Sequence, residues 1–122
     1  MIEALIEAYE FGRIVVNGRA YTSDLIIFPD RVEAGWQRKE GHALRREDVC
    51  AVVRVGSKGK EKLEVLIVGT GKYGVLKVLP EAREFAETEG VELIAEPTAR
   101  ACETYNRLSK SKKVAAALHL TC

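Results

Sequence analysis

Two apolar runs organise the second half of the chain, Leu63-Glu64-Val65-Leu66-Ile67-Val68 and Val91-Glu92-Leu93-Ile94-Ala95. Short, nearly unbroken apolar runs of this kind are what strands buried on both faces of a sheet look like. The first run breaks at Gly69-Thr70-Gly71, and a short apolar bridge leads to Pro80. From Pro80 to Gly90 the spacing changes: Ala82, Phe85 and Ala86 form one stripe, with Glu81, Arg83, Glu84 and Glu87 on the other side. Proline suits the first helical position, where its missing N–H costs nothing, and glycine suits the carboxyl-terminal cap. The pattern predicts a strand–helix–strand unit, and such units are right-handed and parallel.

Sheet is also predicted on the amino-terminal side. Asn17-Gly18, between Arg13–Val16 and Arg19–Thr22, is a strong hairpin signal because both turn residues tolerate positive φ. Leu5 to Phe11 suits a further strand or an irregular lead-in. Leu25-Ile26-Ile27-Phe28 reads as a strand ended by Pro29-Asp30, and the loose alternation from Val32 to Arg38 as another. Gly41-His42-Ala43-Leu44 reads as a turn. Glu47-Asp48, ahead of Val49-Cys50-Ala51-Val52-Val53, places acids at a helix amino terminus, where the macrodipole favours them.

Gly56 to Lys62 is expected to be a mobile loop. Thr98 is a natural N-cap for a helix from Ala99 to about Ser109, with Ala101, Cys102, Tyr105 and Leu108 on its buried face. The last run alternates, with Val114, Ala116, Leu118 and Leu120 on one side and Ala115, Ala117 and His119 on the other. A final strand whose small side lies under a helix is expected.

A chain of 122 residues is long enough for one α/β domain, expected to span residues 1–122. Its net charge of +1 argues against nucleic-acid and membrane-surface binding, which call for a basic excess. The lysine groups Lys58-Gly59-Lys60-Glu61-Lys62 and Lys110-Ser111-Lys112-Lys113 read as solvated loops rather than phosphate clamps. No apolar run approaches the roughly 20 residues of a membrane span. The start, Met1-Ile2-Glu3-Ala4-Leu5, is acidic where a signal peptide would be basic. The expected location is therefore the cytoplasm. Cys50, Cys102 and Cys122 are odd in number and dispersed, so reduced thiols are expected, with neither disulfide nor metal.

Gly69-Thr70-Gly71-Lys72-Tyr73-Gly74 matches the dinucleotide pattern G-x-G-x-x-G, and Glu96 ends the next strand where a ribose-binding acid would sit. The helix, however, opens at Pro80, too late to point its amino terminus at a pyrophosphate, so no NAD or FAD cofactor is expected. Parallel strands deliver their carboxyl ends to one sheet edge. A crevice for a small anion is therefore expected between Gly69, Thr70, Gly71 and Thr98, with Lys72 or Arg100 supplying charge. The alternative is that Thr98 only caps its helix and protein fills the crevice.

His119 and Cys122 form His-x-x-Cys, but a metal site needs three or four ligands; His42 and Cys50 could complete it, yet no spacing requires that, and a hydrogen-bonded structural histidine is the plainer reading. Trp36, Arg38 and His42 are a candidate pocket lining, although a strand tryptophan is more often core. The sequence shows no convincing catalytic set.

The order Phe11-Gly12, Val16-Asn17-Gly18, Trp36, Val68-Gly69-Thr70-Gly71, Gly90, Pro97-Thr98, Tyr105-Asn106, Leu108 and His119-Leu120-Thr121-Cys122 resembles a family of small domains of unknown function. That family includes an adipogenesis-associated animal protein and a mitochondrial assembly factor for respiratory complex I, and this chain is similar to its prokaryotic branch. The resemblance covers about Tyr9 to Cys122. It implies a three-layer α/β domain with one mixed sheet and added β-hairpins, and no agreed activity. Two functions are expected from it and from the residues. The first is a non-enzymatic interaction or assembly domain with a protein partner or a second copy. The other is a binder of, or enzyme on, a small anionic metabolite in the crevice.

Overall fold

Ten strands and three helices are defined in the computed structural model, which describes residues 4–38, 40–57 and 62–122. In chain order they are β1 (Ile6–Glu10), β2 (Arg13–Val16), β3 (Arg19–Tyr21), β4 (Leu25–Ile27), β5 (Val32–Ala34), β6 (Ala43–Leu44), α1 (Arg46–Gly56), β7 (Val65–Thr70), β8 (Lys77–Val78), α2 (Pro80–Thr88), β9 (Glu92–Glu96), α3 (Thr98–Leu108) and β10 (Val114–His119). The apolar runs meet in a five-stranded mixed sheet of order β5-β4-β10-β7-β9. Within it β7 lies between β9 and β10 and is parallel to both, while β4 closes antiparallel on β10. The βαβ unit is thus central, and β1-β2-β3 form the added antiparallel sheet.

Period-two alternation divides the core into two. Ala115 and Ala117 of β10, with Leu66 and Val68 of β7, face α1 and α2 through Val49, Val52, Val53, Ala82 and Ala86. Val114, Ala116 and Leu118, with Val65 and Ile67, face α3 and the hairpin sheet through Ala101, Cys102, Tyr105, Ile14 and Val16. The result is a three-layer α/β fold. Alanines at 115 and 117, both fully buried, leave room for helices to lie close to the sheet.

The Asn17-Gly18 turn has φ of 50° and 78°, the paired positive values expected of this hairpin. At α1, the buried Asp48 carboxylate accepts the Arg45 N–H at 2.9 Å.

Four local expectations are corrected. The strand from Val32 stops at Ala34, because Gly35 turns the chain with φ of 76°. Ala43–Leu44 is not turn but a two-residue strand, paired parallel with Lys77–Val78 of the apolar bridge. Gly69 and Thr70 belong to β7 and are buried. Thr98 is the first helical residue: Pro97 holds the cap position, and no side chain caps α3. Most of the lysine group 58–62, and the first three residues, lie outside the described residues. No helix among the described residues is long and apolar enough to cross a membrane.

Candidate functional site

The parallel strands β7, β9 and β10 end on one edge, and there the chain is sewn together around Gly71. Thr98 Oγ1 accepts the Gly71 N–H at 2.9 Å and donates to the His119 carbonyl at 2.6 Å. The Thr98 N–H returns to Gly71 O at 3.1 Å. Beyond Gly71, the Lys72 N–H donates to Thr121 O at 2.7 Å and the Val75 N–H to Cys122 O at 3.1 Å. Gly71 has φ of 99°, and a Cβ there would lie 2.5 Å from the Cys122 carbonyl and 2.9 Å from His119 Cδ2. Only glycine meets both conditions.

Gly71 and Thr98 therefore share an edge, as the strand order requires. Their N–H groups, and that of Lys72, are hydrogen-bonded within the chain. The Lys72 and Arg100 side chains are exposed. Among the described residues neither makes an ion pair.

A polar cluster lies beside this junction. Asp24 precedes β4, His119 ends β10, and pairing of the two strands brings them together. Asp24 Oδ2 is 2.8 Å from His119 Nδ1 and accepts from Arg38 Nη1 at 3.1 Å, while Oδ1 accepts the Leu120 N–H at 2.8 Å. Burial pushes the Asp24 carboxyl up, and the donors from Leu120, His119 and Arg38 outweigh it, leaving the group below its ordinary value.

Arg38 stacks 4.4 Å over the Trp36 ring and also donates to the Gly41 carbonyl, at 2.8 Å from Nη2. The turn it holds carries His42, whose ring stands edge-on to that of His119 with centroids 5.8 Å apart. Trp36, Arg38 and His42 thus do come together, with His119 among them.

In the neutral ring, the carboxylate 2.8 Å from Nδ1 assigns the proton to that nitrogen and the acceptor role to Nε2. His119 Nε2 is buried and has no hydrogen-bond partner among the described residues. Reading the sequence missed this pair because 95 positions separate Asp24 from His119. The signal that could have found it is strand pairing, which sets Leu25 opposite Leu118.

On the same edge the Gly12 N–H donates to Leu120 O at 3.0 Å, which brings Phe11 alongside Tyr73. The two rings are 6.4 Å apart and largely exposed, Tyr73 at 70% and Phe11 at 49%. Val75 is exposed nearby in sequence. Among the described residues no group of three His, Cys, Asp or Glu is placed to hold a metal.

A three-layer mixed sheet with this strand order defines a known α/β class. The chain is similar to the crystal structure of a conserved hypothetical protein, PH1505 of Pyrococcus horikoshii, at 30% identity and TM-score 0.78, over 96% of this chain and 98% of that one. It is also similar to the Rpa2829 protein of Rhodopseudomonas palustris, at 30% identity and TM-score 0.70, over 93% and 80% of the two chains. A Bordetella pertussis protein described as an Mth938-like domain shares the fold at 22% identity and TM-score 0.75, over 97% and 86%. Residues 6–119 match the family described as protein of unknown function (DUF498/DUF598), and the chain belongs to that family.

Proposed function

We propose that the chain is a protein-interaction domain that works through the aromatic surface at the carboxyl-terminal edge of its parallel strands. The observation that carries this is Tyr73, 70% exposed beside the half-exposed Phe11. Aromatic side chains left in water are costly, and they are the groups that anchor protein interfaces. Lys72, next to Tyr73, and Arg100, near Thr98, are exposed cations on the same edge. The partner they fit is a protein segment with an apolar side chain flanked by carboxylates. That the family this chain resembles includes an assembly factor supports the same role by analogy of fold. The proposed location is the cytoplasm, in keeping with three unpaired cysteines.

The test is capture from the native organism, followed by reconstitution from purified components. The partner should bind wild type, and Tyr73→Ala should weaken it at least about thirtyfold, the loss of a hot spot of about 2 kcal/mol. Equal affinity for the variant would overturn the reading. A dimer abolished by the same substitution would make the occupant a second copy instead.

A second reading, a small anionic metabolite bound around Gly69, Thr70, Gly71, Lys72, Thr98 and Arg100, is favoured by the two exposed cations beside the α3 amino terminus. Because the Gly71 and Thr98 N–H groups are engaged, the Lys72 and Arg100 side chains would make the contacts. Thermal shift with phosphate and citrate tests it, since a ligand at a hundred times its Kd adds about 2.7 kcal/mol. No shift at millimolar anion would exclude it.

A further inference from the structure

A buried imidazole is ordinarily satisfied at both nitrogens. His119 is not: its side chain is 7% exposed, Nδ1 is held by Asp24, and Nε2 has no partner among the described residues. The Cδ2–Nε2 edge is the one turned toward Gly71, since Cδ2 lies 2.9 Å from where a Gly71 Cβ would sit. The exposed His42 ring stands edge-on against His119.

Electrostatics narrows what Nε2 can meet. As an acceptor it requires a donor. A cationic donor is disfavoured by the Arg38 guanidinium, whose Nη2 is 3.4 Å from Nδ1. Of the neutral donors, a thiol is weak and an amide N–H only hydrogen-bonds, whereas a hydroxyl, of water or an alcohol, becomes a nucleophile when it gives up its proton. We propose that Asp24 and His119 form a proton-transfer site in which Nε2 is a general base toward such a hydroxyl, and that the His42 ring covers it.

In the step proposed, the O–H bond breaks as the oxygen attacks an electrophile, and the proton forms an Nε2–H bond. Asp24 stabilises the imidazolium, and Arg38 and the Leu120 N–H hold Asp24 in place. This role is independent of the aromatic surface and would stand if no protein partner bound there.

The probe is p-nitrophenyl acetate with the full chain, carrying Cys50→Ser and Cys122→Ser to remove accessible thiols. Water gives its proton to Nε2 and attacks the ester carbonyl. Acetic acid and p-nitrophenolate are released, the acid loses its proton to solvent, and the imidazolium returns the other. His42→Ala should raise the rate by uncovering Nε2. In that background His119→Gln should lower it about a hundredfold, the usual worth of a general base. Asp24→Asn should lower the rate as well, and histidine nitrogen NMR at about pH 8 should show the Nδ1–H form of His119 losing its dominance.

Turnover seen only after His42→Ala supports the site and its cover. Equal rates with and without His119, or no turnover above buffer in either background, overturn the proposal. So does NMR of the parent chain showing His119 protonated at Nε2 instead of Nδ1.

Discussion

Replacing Thr98 discriminates between two physical roles for one hydroxyl. A helix cap lost to alanine costs about 1 kcal/mol, and asparagine or aspartate would serve in its place. Here Thr98 instead bridges Gly71 N–H and His119 C=O across two strand ends, with its side chain fully buried. Thr98→Val keeps the shape and strands both backbone groups. A buried group left unpaired costs about 1–3 kcal/mol, so the pair costs about 2–6 kcal/mol, and about 3 is expected.

With an unfolding entropy of about 2.1 cal/mol/K per residue, 122 residues give about 0.26 kcal/mol/K, and Tm falls by roughly 12 °C. Thr98→Ser keeps the hydroxyl and loses one methyl, about 0.8 kcal/mol or roughly 3 °C. Thr98→Asn, a good cap but too long for the bridge, should resemble valine. Urea denaturation of the four proteins, with thermal melts alongside, measures this. Valine within about 1 kcal/mol of wild type, or asparagine as stable as wild type, would refute the bridge.

Gly71→Ala should cost about 2–3 kcal/mol in urea denaturation, because its Cβ meets a backbone carbonyl at 2.5 Å that cannot swing away. Gly41→Ala, with open space around it, should be near neutral in the same assay. Asp24 has a depressed folded pKa, so its contribution is present above the unfolded value of about 3.9 and is lost as pH falls through the folded one. Stability measured from pH 7 downward should therefore fall more steeply below about pH 4 in wild type than in Asp24→Asn. Burial, and then Glu103, push the Cys102 thiol up to about 12. A thiol reagent at pH 8 should label Cys50 and Cys122 before Cys102, and label all three in denaturant; native labelling of Cys102 at an equal rate would contradict the burial.

The central strand–helix–strand unit was legible in the sequence because its signals are local: apolar runs, Pro80 at a first helical turn, Gly90 after a last one. The Asn17-Gly18 turn was legible for the same reason, since positive φ is demanded residue by residue. The alternation of β10 even announced which alanines would lie under helices.

Other features depended on partners far along the chain. Val32–Arg38 kept a strand-like pattern past the point where Gly35 turned it, and Ala43–Leu44 became a strand only because Lys77–Val78 lay alongside. Thr98 had the composition of a cap, yet Gly71 and His119 offered its hydroxyl better-placed partners. Asp24 and His119 carried no spacing signal, because their proximity comes from an antiparallel pairing between residues almost a chain length apart. Local propensity depends on a residue and its near neighbours, whereas a buried hydrogen bond depends on which strands lie side by side.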